Sequence, residues 1–389
     1  MTRRDILERA LDEAAASGPM TFRTYMDLAL YHPEGGYYTR PEMRVGVGGD
    51  FHTSPTLSPA FGHCVARQLG QFWELMGKPA EFQLLEIGAG SGQLADQILG
   101  GLARDRRWKR LTYQIVEKSP ALRERQRATL QAYAGTVRWA EDLPDLAPDG
   151  AWQGVVLSNE LFDAFPVHRV IGLKEGFAEI GVMRHEKGYW RQIGIVPTTP
   201  RLAEYLAAEG ITLQEGQQAE INLAALDMME RLGRWLGRGF VLTIDYGGPA
   251  DYVYAPHRRK GTIRGYYKQL AIRDPLEHPG EQDLTSDVDF TALMRAAEGV
   301  GLRTVGVVPQ GTFLKHLGIE ALEKEALRGV KGSLEADFAA SDIRKLYDPR
   351  AMGEGFSVLV QAKGVTVAPE AVLGLTGGQR GMRWPWKRP

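Results

Sequence analysis

The stretch that decides the fold is FQLLEIGAGSGQLADQIL, residues Phe82 to Leu99. Its first six residues form a short apolar run, as expected of a parallel strand that is buried on both faces. Glycines then interrupt the run, and Leu94, Ile98 and Leu102 share one face of the helix that follows. A strand, a glycine turn and a helix in this order predict the start of a doubly wound α/β sheet, whose ligands bind beyond the carboxyl ends of the strands.

The glycine turn also indicates which ligand to expect. A dinucleotide fingerprint needs a glycine where this chain has Gln93. Glu86 would repel a pyrophosphate but can pair with an ammonium group, and Gly88 and Gly90 let the backbone approach a bulky ligand without a Cβ atom. The pattern Glu86-x-Gly88-x-Gly90 therefore favours S-adenosylmethionine, which has an amino-acid end and no phosphate. The alternative is a glycine-rich turn that holds no ligand.

Acids also follow the next two predicted strands. The strand at residues 111–116 ends at Glu117, which can accept hydrogen bonds from both ribose hydroxyls of a nucleoside. The strand at residues 137–140 is followed by Asp142, which is placed to accept a hydrogen bond from the adenine amino group. The alternatives are a solvated strand end for Glu117 and an ordinary turn residue for Asp142.

Residues 1–80 are predicted to form an N-terminal helical and lid segment. Two helices precede a long loop with little regular structure, and loops of that length are more often functional than idle. Asp50, Thr53 and Ser54 in this loop offer polar contacts to the cofactor if the loop closes as a lid. The alternative is an irregular wrap at the sheet edge. Ser58 is then predicted to cap a helix that begins at Pro59.

The chemistry is predicted to lie after the fourth strand, in the sequence Asn159-Glu160-Leu161-Phe162-Asp163. The Asn159 carbonyl can accept a hydrogen bond from a substrate nitrogen. Two carboxylates can grip a planar guanidinium and bias its charge onto one nitrogen. Because methyl transfer needs a lone pair aligned with the methyl carbon, positioning is most of the catalysis. The alternative is that Glu160 or Asp163 caps a helical turn.

The remaining strands complete a Rossmann-like, doubly wound sheet of seven strands. Residues 81–167 and 238–365 are predicted to form this S-adenosylmethionine-binding core, and residues 168–237 a β-rich cap inserted between strands four and five. Thr285 or Ser286 is predicted to cap the helix that begins at Phe290. Residues 366–389 are predicted to be a basic, mobile tail.

Composition excludes several classes of protein. The 389 residues carry 47 Lys and Arg against 48 Asp and Glu, a net charge of −1, which gives no general attraction to nucleic acid or membrane surfaces. The single cysteine, Cys64, excludes an internal disulfide, and no apolar stretch is long enough for a membrane span. The first residues have the pattern of an amphipathic helix and of no signal or transit peptide, so a cytoplasmic protein is expected. No metal is expected, and the sequence does not indicate the oligomeric state.

Several blocks of the chain carry a family resemblance. They are Gly35-Gly36-Tyr37-Tyr38, Gly49-Asp50-Phe51-x-Thr53-Ser54-Pro55, Glu86-x-Gly88-x-Gly90, Val116-Glu117-Lys118-Ser119, Asn159-Glu160-Leu161-Phe162-Asp163-Ala164-x-Pro166, Ile244-Asp245-Tyr246-Gly247 and Asp283-Leu284-Thr285-x-x-Val288-Asp289-Phe290. Together they resemble the MidA family, from about residue 20 to residue 363.

This resemblance implies a class I methyltransferase that uses S-adenosylmethionine and carries additional N-terminal and cap elements. Mitochondrial members of the family are protein arginine methyltransferases that act on a complex I subunit during assembly. Without a predicted transit peptide, this chain is similar to the bacterial members, whose substrate the resemblance does not settle. The family link therefore leads us to expect methylation of an accessible arginine on a protein. A small-molecule N- or O-methyltransferase and an assembly chaperone that binds S-adenosylmethionine without turnover stay open.

Overall fold

The structure, a computed structural model, describes residues 1–40, 53–102, 108, 110–268, 270–329 and 334–375. The strands are β1 (Met20–Thr21), β2 (Phe82–Ile87), β3 (Leu111–Val116), β4 (Val137–Ala140), β5 (Trp152–Asn159), β6 (His168–Gly172), β7 (Phe177–Arg184), β8 (Trp190–Ile195), β9 (Gln218–Ile221), β10 (Leu236–Gly248), β11 (Arg264–Tyr267), β12 (Leu270–Ile272), β13 (Asp283–Thr285), β14 (Val288–Asp289), β15 (Arg303–Pro309) and β16 (Phe356–Lys363).

The helices are α1 (Arg3–Ala14), α2 (Phe22–Tyr31), α3 (Ser54–Leu57), α4 (Pro59–Leu75), α5 (Gln93–Leu102), α6 (Pro120–Thr129), α7 (Arg201–Ala208), α8 (Leu223–Trp235), α9 (Ala250–Val253), α10 (Phe290–Glu298), α11 (Gln310–His316), α12 (Ile319–Gly329) and α13 (Leu334–Tyr347). Within the described ranges, none of them has both the length and the apolar character needed to cross a membrane.

A sheet of seven strands forms the centre of the molecule, in the order β4-β3-β2-β5-β10-β16-β15. All run parallel except β16, which is antiparallel to both of its neighbours. The short strand β14 extends the sheet by pairing with the end of β10. The predicted doubly wound α/β sheet of seven strands is therefore confirmed. The chain moves outward from β2 to β4 and then returns to place β5 on the other side of β2, which creates a topological switch point.

The strand register brings four carboxyl ends together at this switch point. Ile87 of β2 lies opposite Val116 of β3 and Ser158 of β5. Asn159, the last residue of β5, lies opposite Ile244 of β10. Because parallel strands end at the same edge of the sheet, the polar residues that follow them meet there.

Both faces of the sheet are covered by apolar side chains, because successive residues of a strand point to opposite faces. Leu84 belongs to the cluster formed with α4 and α5, and its neighbour Leu85 to the cluster formed with α8 and α10. In the first cluster Phe72 of α4 stacks on Phe240 of β10, with ring centroids 4.3 Å apart. Burying each such ring stabilises the fold by about 1.5–3 kcal/mol.

The chain between β5 and β10 forms a second, antiparallel sheet from β6 to β9. The N-terminal segment joins this sheet through β1, since Met20 pairs with Val182 of β7. Arg184 at the end of β7 also bonds to Glu8 at 2.5 Å and Asp12 at 2.6 Å on α1. The pairing of β1 was not predicted, because a strand of two residues has no detectable periodicity.

Two further expectations need correction. Helix α10 is capped by Asp289, whose Oδ1 accepts from the N–H groups of Thr291 at 2.9 Å and Ala292 at 3.2 Å. Thr285 or Ser286 was the predicted cap, and this is wrong because Thr285 lies in β13 and the strand β14 intervenes before the helix.

The mobile tail was predicted to start at residue 366, which is too early. Within residues 366–375, Val372 and Leu375 are buried in the cluster on the α4 face of the sheet. The N–H of Gly374 donates to Gln68 Oε1 of α4 at 2.8 Å. These residues therefore belong to the folded core, and the rest of the predicted tail lies outside the described residues.

Candidate active site

The glycine turn after β2 leaves space at the switch point. Gly88 and Gly90 have φ angles of 71° and 52°, in the left-handed region that favours glycine. The N–H of Gly88 donates to the carbonyl of Val116 at 3.1 Å, which holds the turn to β3. A Cβ atom at Gly90 would have no atom of the described residues within 4 Å, so among these residues the turn borders an open cradle that a side chain would fill.

Glu86 lies one residue before the end of β2 and is buried. Its Oε2 accepts a hydrogen bond from the Tyr113 hydroxyl at 2.8 Å. Burial raises the pKa of Glu86 to about 7, and the Tyr113 hydroxyl acts against this by stabilising the carboxylate. A bound ammonium group would favour the ionised form and would draw this pKa down again.

Glu117 is linked to the glycine turn by Gln126, which is fully buried in α6. Gln126 Nε2 donates to Glu117 Oε2 at 3.2 Å and to the carbonyl of Gly90 at 3.0 Å. Glu117 Oε1 accepts from the N–H of Ser119 at 2.9 Å. Burial raises the pKa of Glu117, and these donors act in the opposite direction. The acid is thus fixed beside the turn, as its predicted ribose role requires, and the sequence did not indicate the part played by Gln126.

Asp142 is placed differently from the other predicted cofactor residues. It caps a 3₁₀ turn by accepting from the N–H of Leu143 at 2.9 Å, and it pairs with Arg231 of α8 at 2.6 Å. Burial would raise the pKa of Asp142, but the hydrogen bonds from Arg231 and Leu143 outweigh it and lower the pKa. The alternative of an ordinary turn residue therefore has direct support, and the adenine contact stays a prediction.

Ser54 and Thr53 lie at the start of α3. The hydroxyl of Ser54 donates to Gln310 Oε1 at 3.2 Å, and its backbone N–H donates to Glu160. The N–H of Thr53 donates to Thr56 Oγ1 at 2.9 Å. The structure thus brings Ser54 to the residue after β5, and a cofactor contact by either residue stays a prediction. Asp50 and the rest of the predicted lid loop lie outside the described residues.

The turn after β5 has an unusual backbone. Glu160 has a φ angle of 53°, an energetically costly value for a residue with a side chain, and such values concentrate at functional sites. Asn159 Nδ2 donates to Glu160 Oε1 at 3.0 Å, while the buried Asn159 Oδ1 has no hydrogen-bond partner among the described residues. Leaving a buried acceptor unsatisfied costs about 1–3 kcal/mol, so this oxygen favours a ligand that donates a hydrogen bond.

Asp245 holds this turn in place from the end of β10. Its Oδ2 accepts from the N–H groups of Leu161 at 3.1 Å and Phe162 at 2.8 Å, and its Oδ1 accepts from Tyr246 at 2.9 Å. Burial raises the pKa of Asp245, with the Glu160 carboxylate adding to the effect. Asp245 was visible in the sequence as an acid at a strand end, but its hydrogen bonds give it a positioning role that spacing alone could not reveal.

Further carboxylates act on Glu160. Burial first, and then the Asp163 and Asp283 carboxylates, raise the pKa of Glu160 to about 8. Burial also raises the pKa of Asp163 well above its usual range, with Asp245 and Asp283 contributing. Asp283, in β13, was not among the predicted site residues, although it opens one of the quoted sequence blocks.

Among the described residues, one cation lies near these carboxylates. Arg264 of β11 lowers the pKa of Asp163, in opposition to burial. Arg264 is also paired with Asp287 at 2.7 Å, a carboxylate that it shares with Arg258 at 2.8 Å. Among the described residues, the region around Glu160 still has a surplus of carboxylates over cations, and a cationic ligand would stabilise their ionised forms.

Comparison with known proteins agrees with this geometry. A family model described as an S-adenosyl-L-methionine-dependent methyltransferase matches residues 64–308. This chain belongs to that family. The methyltransferase is 34% identical to a Burkholderia thailandensis protein described as a methyl transferase, whose crystal structure contains S-adenosyl-homocysteine. That likeness covers 95% of each chain with a TM-score of 0.85.

The methyltransferase also has curated relatives of similar length. It is 30% identical to a Drosophila melanogaster protein named protein arginine methyltransferase NDUFAF7 homolog, over 91% of this chain and 84% of the relative. It is 30% identical to the Danio rerio protein of that name, over 91% and 86% respectively. Both relatives are named as mitochondrial, and this finding overturns the expected cytoplasmic location.

The family confirms the predicted cofactor, S-adenosylmethionine, and the resemblance on which the prediction partly rested. The residues present fit this cofactor. The cradle beside Gly90 is open among the described residues, and Gln126 holds the Glu117 carboxylate beside the carbonyl of Gly90. The individual contacts to the cofactor stay predictions.

Proposed function

We propose that this methyltransferase methylates an arginine guanidinium nitrogen of a protein. The observation that carries the proposal is the surplus of carboxylates around Glu160. In the same turn, Asn159 Oδ1 has no hydrogen-bond partner among the described residues. A guanidinium has five N–H donors in one plane and matches such a set of acceptors. The curated relatives are named protein arginine methyltransferases, which supports a protein arginine as the acceptor.

The cofactor end of the site is proposed to use the predicted residues. Glu86 would pair with the ammonium group, Glu117 would accept the ribose hydroxyls, and Gly88 and Gly90 would leave room for the ligand. When bound, S-adenosylmethionine supplies an electrophilic methyl group on a sulfonium sulfur.

The acceptor end is proposed to activate the guanidinium by position and charge. Glu160 and Asp163 would hold one edge of the group, so that the nitrogen beside Glu160 comes closer to a neutral lone-pair donor and the positive charge is favoured on the far nitrogens. The nitrogen that receives the methyl group must lose one proton. Glu160 can take it, because a pKa of about 8 is close to neutral and therefore suits a general base.

The experiment is transfer of a labelled methyl group from S-adenosylmethionine to the proteins of a lysate, followed by mapping of the labelled residue. Label on an arginine of a defined protein supports the proposal. Label on a metabolite would instead identify a small-molecule N- or O-methyltransferase. Tight cofactor binding with no acceptor would identify an assembly chaperone. Among protein acceptors, the MidA resemblance favours a subunit of respiratory complex I, and mapping tests that choice directly.

A further inference from the structure

Tyr38 lies between the cofactor side and the acceptor side of the site. Its hydroxyl donates to Asp283 Oδ1 at 2.7 Å, and its carbonyl accepts from Ser119 Oγ at 3.3 Å. The N–H of Ser119 in turn donates to Glu117 at 2.9 Å. The segment after α2 therefore connects the acid after β3 with the carboxylates that surround Glu160.

Tyr31, the last residue of α2, extends the same surface. Its ring stacks on that of Tyr38, with centroids 5.4 Å apart and an interplanar angle of 26°. Its hydroxyl donates to the carbonyl of Ala164, the residue after Asp163, at 2.9 Å. Tyr31 nevertheless keeps 38% of its surface exposed. An exposed aromatic ring is thus fixed to the turn that carries the acceptor-side acids.

The acids act directly on both tyrosines. Burial of the hydroxyl raises the pKa of Tyr31 well above its usual range, and the Asp283 and Asp163 carboxylates raise it further. The pKa of Tyr38 is raised in the same way, by burial first and then by Asp283. Each phenol therefore stays neutral and keeps its hydrogen bond, while the rings face a region of negative charge.

We propose that Tyr31, Tyr38 and Asp283 form a second wall of the acceptor site, which selects a flat guanidinium over a compact ammonium cation. The inference rests on the proposed function, because it assigns this wall to the same site. A guanidinium can stack on an aromatic face while its edge donates to carboxylates. An ammonium group is a strongly hydrated point charge and cannot make both contacts in one plane.

The test measures binding without turnover, in the presence of saturating S-adenosyl-homocysteine. The probes are N-acetyl-arginine amide and N-acetyl-lysine amide, titrated by calorimetry into the full chain. Wild-type protein should prefer the arginine compound. Tyr31→Leu should weaken arginine binding by roughly twofold to thirtyfold, the range for loss of a cation–π contact, and should affect lysine less. Asp283→Asn keeps an acceptor for Tyr38 and should weaken binding by about tenfold or more.

Two controls separate recognition from folding. Tyr31→Phe loses the hydrogen bond to Ala164 but keeps the ring, so it should restore arginine binding. Tyr189→Leu removes an exposed tyrosine from the β7–β8 hairpin and should change neither affinity. Wild-type affinity and preference in folded Tyr31→Leu and Asp283→Asn would overturn the second wall.

The result is also separable from the proposed function. Selective binding of the arginine compound, with no arginine labelled in the transfer experiment, would overturn the proposed reaction and leave the wall intact. Methylation of arginine, with no loss of selectivity in the variants, would support the proposed reaction and overturn the wall. No binding of either compound by wild-type protein would overturn the wall.

Discussion

Glu160→Gln tests the chemistry most directly, because it removes one charge and almost no volume. The side chain accepts from Asn159 Nδ2 at 3.0 Å and from the N–H of Ser54. A glutamine oxygen can keep both contacts, so the turn and the cofactor affinity should survive. Methyl transfer to an arginine acceptor should fall by at least about a hundredfold, the lower end for a positioned acid or base.

The pH dependence of affinity for an arginine compound provides a second test with the same variant. With a pKa of about 8, Glu160 is mostly protonated near pH 6 and half ionised near pH 8. Only the ionised form pairs with a cation, so wild-type affinity for an arginine compound should rise by about fiftyfold over that interval. Glu160→Gln should remove most of this rise. Asp163 and Asp245, whose pKa values are also raised, would supply the remainder.

The stability of the wild-type protein should fall with rising pH, whereas its affinity for the arginine compound should rise. The folded state binds the Glu160 proton more tightly than the unfolded state, because the pKa is raised from 4.5 to about 8. The stabilisation from that proton is complete at low pH and is lost as the pH rises through the folded pKa. Glutamine has no proton to lose. Above about pH 8 the free energy of unfolding of the variant should therefore exceed that of the wild-type protein by a few kcal/mol. This figure allows for the partial solvent access of Glu160.

The assays are turnover with an arginine-containing acceptor, calorimetric cofactor affinity, and urea unfolding at acidic and alkaline pH. Glu124→Gln is the matched control, since this carboxylate is exposed on α6 and pairs with the exposed Arg127 at 3.4 Å. If Glu160→Gln methylates at the wild-type rate, the carboxylate is structural and the arginine mechanism loses its chemical basis. A loss of cofactor affinity equal to the loss of turnover would place Glu160 at the cofactor instead.

Three further substitutions test the rest of the site. Gly90→Val should abolish S-adenosylmethionine binding at a folding cost of about 1–2 kcal/mol for the left-handed backbone, and unchanged calorimetric affinity would remove the turn from the site. Glu117→Ala should weaken cofactor binding by about 1–3 kcal/mol, whereas binding of NADH in place of S-adenosylmethionine would refute the ribose assignment. Asp163→Asn should lower turnover less than Glu160→Gln with cofactor affinity retained, and a wild-type rate would leave Asp163 a structural role only.

The elements that could be predicted are those whose signal is local. The apolar runs of the parallel strands mark β2, β3 and β5, because these strands are buried on both faces. Ser58 followed by Pro59 marks the start of α4, and Ser58 Oγ does accept from the N–H of Ala60 at 3.3 Å. The glycine turn and the acid before it indicated the cofactor, since both lie within a few residues of one strand end.

The features that were not predicted from the sequence mostly depend on partners that are far apart along the chain. The bond between Tyr38 and Asp283 joins residues 245 positions apart, and no periodicity within either segment indicates it. Gln126 is one of several polar residues in the Arg-rich sequence of α6, yet it is fully buried and bonded to the carbonyl of Gly90. The helices α11, α12 and α13 were not predicted, although residues 319–329 have the alternating charges and apolar spacing of a helix.

Spacing also could not separate the acids at the strand ends by role. Asp245 and Glu160 both follow a strand, and the register brings them to the same edge. Asp245 is occupied by three backbone N–H groups, which fix the turn that begins at Glu160. Glu160 instead sits in a left-handed conformation beside an unsatisfied amide oxygen. Because a carboxylate committed to the backbone has little capacity left for a substrate, we expect Asp245 to support the turn and Glu160 to face the proposed acceptor.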